Sequence, residues 1–73
     1  MTLHAETFNY LKPTERQTFQ MQEVRDAYKA FTDLLQRALP DGADKTHVLR
    51  LIRDAAMWSH VAITREQDGS PRT

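Results

Sequence analysis

The chain has 73 residues, one domain at most, and a core of that size rarely supplies more than about 3 to 5 kcal/mol of net stability by itself. There is no cysteine, which excludes disulfides and thiolate metal sites as added support and leaves self-association as the remaining source. Ten Lys plus Arg balance ten Asp plus Glu, so no overall field draws the protein to DNA, RNA or an anionic membrane. No apolar run approaches the roughly 18 residues that span a bilayer, and no basic-then-apolar signal follows Met1, so the protein is expected to stay in the compartment where it is made.

Residues 1–13 mix apolar and polar types without a sustained period and read as an arm with at most one helical turn, since Pro13 disfavours helical geometry at Lys12. Thr14 followed by Gln17 has the form of a capping box and predicts a helix start. From Met21, the residues Val24, Tyr28, Phe31 and Leu35 recur at helical spacing, with Ala27, Leu34 and Ala38 widening the stripe. Leu39-Pro40-Asp41-Gly42 stops this helix and turns the chain, and Asp41 or Asp44 is available to cap a second one.

The second helix is expected from about Lys45 to Arg65, its apolar side formed by Val48, Leu51, Ile52, Ala55, Trp58, Ala62 and Ile63. With Leu49 and Ala56 included, these positions cover roughly half the circumference, more than one partner helix can bury. Met57 and Val61 project from the opposite side, so apolar surface also points away from the intrachain neighbour. The expected fold is all-α: an antiparallel helical hairpin over 14–66, a short N-terminal arm and a polar, disordered tail over 67–73, assembled into a homo-oligomer.

Groups for catalysis or metal binding do not assemble from this pattern. His4, His47 and His60 stand at no helical metal-ligand spacing, Asp44 with His47 gives two ligands where zinc needs three or four, and surface or packing roles suffice for all three histidines. Ser59 and His60 are neighbours that point about 100° apart on one helix, which is no nucleophile–base pair. Asp26, Asp33 and Asp54 can pair with cations one turn away, Asp33 to Arg37 in the favourable order. No catalytic residue, metal or cofactor is expected.

Binding has more to build on. Arg25 and Lys29 stack on one helix face, where like charges repel and an anion between them removes the repulsion. Phe8, Asn9, Tyr10 and Lys12 of the arm add aromatic rings, an amide and a third cation, a set that receives a small nucleotide by base stacking and phosphate contact if the arm folds back. The other reading stays open: Asp26 and Asp33 neutralise the cations, and Tyr10 packs on the hairpin end. Trp58 serves either as core or as a ligand platform, and Arg65 complements the dipole at the helix end.

The segment Asp54-Ala55-Ala56-Met57-Trp58-Ser59-His60-Val61-Ala62-Ile63-Thr64-Arg65 resembles the terminal-helix motif of phage anti-CBASS cyclic-oligonucleotide sponges, approximately E-x-x-M-W-A-N-A-A-I-A-R. The arm is similar too: the family has a Tyr shortly followed by Pro or Leu and, about 15 residues after the Tyr, an Ile-Lys pair, and here Tyr10, Lys12, Pro13, Val24 and Arg25 fall at that spacing. The resemblance runs from Phe8 to Arg65.

What the resemblance implies is a helical multimer, commonly a hexamer, that sequesters cyclic di- and trinucleotides of the cyclic GMP-AMP type in the host bacterial cytoplasm without degrading them. Related members trap cyclic ADP-ribose-type signals. By position, Tyr10 becomes the base platform, Arg25 the phosphate contact, and Arg65 the counterpart of a basic residue lining a separate cyclic-trinucleotide site. Arg25 stands where the family has lysine, exchanging a point donor for a planar fork. Ser59-His60 replaces an Ala-Asn step, and Asp54 replaces a glutamate. A small helical module that docks on a host or phage protein through Met57 and Val61 is the alternative.

Overall fold

The computed structural model describes residues 2–72; Met1 and Thr73, the outer ends of the expected arm and tail, lie outside the described residues. Two helices, α1 over Glu15–Ala38 and α2 over Ala43–Thr64, pack as a hairpin. α1 starts at the expected capping box: the Thr14 hydroxyl accepts the Gln17 N–H at 3.1 Å, and Gln17 Oε1 accepts the Thr14 N–H at 2.9 Å. It ends at Ala38 because Pro40 pushes Leu39 into extended backbone.

The start of α2 differs from expectation. Its N-cap is Gly42 at φ 151°, a region that side-chain-bearing residues rarely adopt, and no side chain caps it. Asp44 sits in the first turn, where its charge favours the helix dipole. Asp41 instead pairs with Lys45 at 3.0 Å, and the Lys45 ammonium also donates to the Gln36 carbonyl at 2.8 Å. One lysine thereby ties an orphan carbonyl at the end of α1 to the first turn of α2.

The Cα extents, 44 × 28 × 15 Å, are those of a single helical layer. Met21, Val24, Tyr28 and Leu35 of α1 are half-buried, as are Leu49, Ile52, Ala56 and Ile63 of α2. Across this seam the Tyr28 and Ser59 hydroxyls share a hydrogen bond of 3.0 Å. Among the described residues no apolar side chain is fully buried, and the single buried residue is Gln17, 7% exposed.

The single broad stripe expected on α2 therefore divides. Leu51, Ala55, Trp58 and Ala62 are exposed, Trp58 by 65%. They lie roughly 120° around the helix from the seam, where α1 cannot reach them. A core position for Trp58 is corrected accordingly. On α1, Ala27, Phe31, Leu34 and Ala38 form a matching exposed row, with Phe31 half exposed. Antiparallel helices of like rotation put both rows on one side of the hairpin, and a shallow cleft lined by Ala27, Phe31 and Ser59 joins them.

Both ends of the chain close over the open end of the hairpin. Where a disordered tail is expected over 67–73, residues 67–72 turn back: the Glu66 N–H donates to Ser70 O at 2.7 Å and the Arg72 N–H to Thr64 O at 2.8 Å. Gly69, at φ 92°, passes so close to the arm that a Cβ there would overlap the Thr7 hydroxyl. Polar composition gives no hint of this order, because the partners are backbone groups far away in sequence. The arm forms successive tight turns, with Thr7 N–H to His4 O at 3.0 Å and Asn9 N–H to Glu6 O at 3.1 Å, and the His4 N–H reaches Asp68 O at 2.7 Å.

Candidate functional site

Arg65, just past the end of α2, organises the arm. Its Nη1 donates to the Glu6 carbonyl at 2.9 Å and the Gly69 carbonyl at 2.8 Å, and its Nη2 to the Asn9 carbonyl at 2.5 Å. The planar fork suits three carbonyls that converge from arm and tail. The Arg65 carbonyl in turn accepts the Arg72 side chain, Nη2 at 2.9 Å. So the guanidinium expected to cap the helix or meet a ligand is spent on backbone carbonyls of the arm and tail.

Held in this way, the arm presents its aromatic residues outward. Phe8 is 90% exposed and Tyr10 85%, so Tyr10 does not pack on the hairpin end within the chain. A ring kept in water on an anchored backbone has both faces free for stacking. Asn9 gives its backbone carbonyl to Arg65, and its side chain, like that of Lys12, is exposed. On the tail side, the Ser70 hydroxyl at 2.7 Å and the Ser70 N–H at 3.0 Å donate to the Asp68 carboxylate and hold its pKa below the usual value of 3.8.

The cations lie elsewhere. Arg25 and Lys29 border a cleft of about 430 Å³ along the flank of the hairpin opposite the apolar rows, with Ile52 and Ala56 of α2 also lining it. Arg25 Nη1 donates to Gln22 Oε1 at 3.3 Å, and Asp26 accepts from Gln22 instead. Asp33 lines the cleft but pairs with neither cation: among the described residues the ion pairs are Lys45–Asp41 and Arg72–Glu66. The expected neutralisation by Asp26 and Asp33, and the Asp33–Arg37 pair, are not formed.

These two halves of the expected site are apart within one chain. Arg25 lies roughly 16 Å along α1 from Thr14 at 1.5 Å per residue, and no arm residue lines its cleft. The structure ties the arm segment that carries Phe8, Asn9 and Tyr10 to Arg65 through the Asn9 carbonyl, and sets Arg25 and Lys29 on one cleft, but does not bring the two groups to one pocket.

The same cleft takes Arg53 from α2, a residue that reading each helix separately passes over. Its signal was in the turn: Lys29 and Arg53 are each twelve residues from Asp41, so folding the chain there sets them opposite each other. His60 Nε2 is buried without a hydrogen-bond partner among the described residues, and Ser59 is committed to Tyr28 and the Ala55 carbonyl. Among the described residues no three potential metal ligands cluster, and no helix is long and apolar enough to cross a membrane.

An anchored aromatic arm and a flank with an excess of cations, on a two-helix scaffold, define a small helical hairpin domain. The chain belongs to the Acb2/Tad1 hairpin-domain family, the anti-CBASS and anti-Thoeris sponges, whose family model matches residues 3–64. Comparison with curated proteins and with solved structures gives no match. The matched span takes in the arm and both helices, and stops one residue short of Arg65.

Proposed function

We propose that this protein is a phage anti-defence sponge that binds cyclic di- and trinucleotide signals of the cyclic GMP-AMP type and withholds them, undegraded, from their receptors in the host bacterial cytoplasm. The observation that carries this reading is the family match over residues 3–64, which includes both Tyr10 and Arg25. Sequestration needs no nucleophile or metal, because tight binding alone lowers the free concentration of the signal below its receptor's threshold.

A homo-oligomer, a hexamer by analogy with the family, completes the pocket by setting the arm of one protomer against the Arg25 flank of another. Surface area supports assembly: the chain exposes 6052 Å², against about 4,700 Å² for a compact monomer of 8.5 kDa. The excess of roughly 1,400 Å² exceeds the ~800 Å² per partner of a standard interface. In a shared pocket, two tyrosines stack on the bases of a two-fold ligand and two arginines meet its phosphates, with Lys29, Asn9, Lys12 and Phe8 at the rims.

Purification from cells that synthesise cyclic nucleotides, followed by denaturation, tests the reading directly. Release of the intact cyclic compound is expected; a linearised product would instead identify a phosphodiesterase. The alternative, a protein-docking module, draws on the exposure of Met57, 60%, and Val61, 41%, on the back of α2. A monomer in light scattering that binds nothing across a panel of cyclic nucleotides favours that alternative.

A further inference from the structure

The flank cleft is built from both helices. Arg25 and Lys29 reach it from α1 and Arg53 from α2, while Asp33 is the one acidic residue on its lining, so the cleft carries a local excess of positive charge. None of the three cations joins an ion pair among the described residues, and the only side-chain hydrogen bond among them is that of Arg25 to neutral Gln22. Ile52 and Ala56, both half-buried, give the cleft an apolar surface beneath the charges. Three cations facing a single carboxylate, Asp33, that pairs with none of them repel one another, and an anion bound between them reverses the sign of the interaction.

We propose that Arg53 is a ligand-binding residue that, with Arg25 and Lys29, forms a two-helix cradle for phosphodiester or phosphate oxygens, while the ring portion of the ligand lies over Ile52 and Ala56. The proposal rests on the sponge reading for the identity of the ligand as a cyclic oligonucleotide, and on the cleft alone for the anion site. Arg53 supplies what α1 cannot: a planar fork approaching from the opposite wall, so that the phosphate is held between helices and not merely above one. Removing one charge-assisted contact of this kind weakens binding by roughly tenfold or more.

Calorimetric titration of a cyclic di- and trinucleotide panel compares the wild-type protein with Arg53→Gln, Arg53→Lys and Arg50→Gln. Arg50 is exposed on α2 and does not line the cleft, so its variant removes the same charge from the same helix while leaving the cradle residues in place. Arg53→Gln is expected to lose at least tenfold in affinity and to show a flatter salt dependence, Arg53→Lys to recover part of the loss, and Arg50→Gln to match wild type. In parallel, inorganic pyrophosphate added to the unaltered protein is expected to shift the Arg53 and Arg25 side-chain Nε–H signals in NMR spectra, a readout that holds even if a variant folds poorly. Panel binding with equal affinity in Arg53→Gln and Arg50→Gln overturns the role of Arg53 and leaves the sponge reading standing. No binding to the panel, with pyrophosphate still shifting both arginines, upholds the anion cradle and removes its assignment to cyclic oligonucleotides. Silence in both measurements sinks the cradle and the sponge reading together.

Discussion

Gln17 on the first turn of α1 donates through Nε2 to the Ile63 carbonyl, at 3.2 Å, and to the Arg72 carbonyl, at 2.8 Å. The same side chain closes the capping box through Oε1, so one buried amide joins the start of α1 to the end of α2 and the tail. A leucine at this position fills the space and leaves these polar groups unpaired. Gln17→Leu is therefore expected to cost about 1 to 3 kcal/mol in chemical denaturation. Unchanged stability would show that water replaces the amide at no cost.

Arg65 anchors the arm that carries Tyr10. Arg65→Met keeps the apolar stem but removes the donors to Glu6, Asn9 and Gly69. Backbone amide relaxation is expected to show residues 4–10 becoming mobile while the helical circular dichroism stays constant. Affinity for a cyclic nucleotide should fall as well, because a mobile arm pays ordering entropy on binding. An arm as ordered as in the wild type would refute the anchoring role.

In the proposed shared pocket, Tyr10 and Arg25 make different demands on a ligand. Tyr10→Ala removes a stacking platform worth about 1 to 3 kcal/mol per base, and Arg25→Ala a charge-assisted contact of about 1.5 to 3 kcal/mol. Each variant should lose tenfold or more in calorimetric affinity, with helicity and oligomer size retained. Wild-type affinity in both would remove these residues from the site.

Phe31 and Trp58 lie on the exposed apolar side of the hairpin, half exposed and 65% exposed. Burying a carboxylate between protomers without a partner is far costlier than losing a ring. Phe31→Asp is expected to yield a smaller species in light scattering, whereas an exposed-face control, Arg50→Gln, should not. If the mass of the assembly is unaffected by Phe31→Asp, the interface lies elsewhere.

Asp68 has its pKa lowered by hydrogen bonds from the Ser70 hydroxyl and N–H. A depressed carboxylate pKa stabilises the folded tail above the unfolded value, and this contribution is lost as the pH falls through the folded pKa. The Ser70 amide resonance should therefore titrate with a midpoint below 3.8, the ordinary value for an aspartate. A midpoint at or above that value would mean the tail turn forms without the carboxylate.

Both helices, the capping box at Thr14 and the turn at Pro40 were legible from the residues alone, because hydrophobic period, side-chain caps and proline stereochemistry are local properties. The motifs that mark the family were equally visible there, since recognition of a nucleotide relies on particular residue types at particular spacings. Local rules did not reveal which part of the apolar surface the hairpin buries. Trp58 and Ile63 both belong to the apolar set of one helix, and only the position of α1 separates a seam residue from an exposed one. The clamps of Arg65 and Gln17 were hidden for the same reason, since their acceptors are backbone carbonyls, which every residue carries and which only the folded chain selects. Tertiary structure also decided that Arg53 joins Arg25 and Lys29 while Tyr10 stands apart, because the register of two antiparallel helices sets which charges meet across a groove.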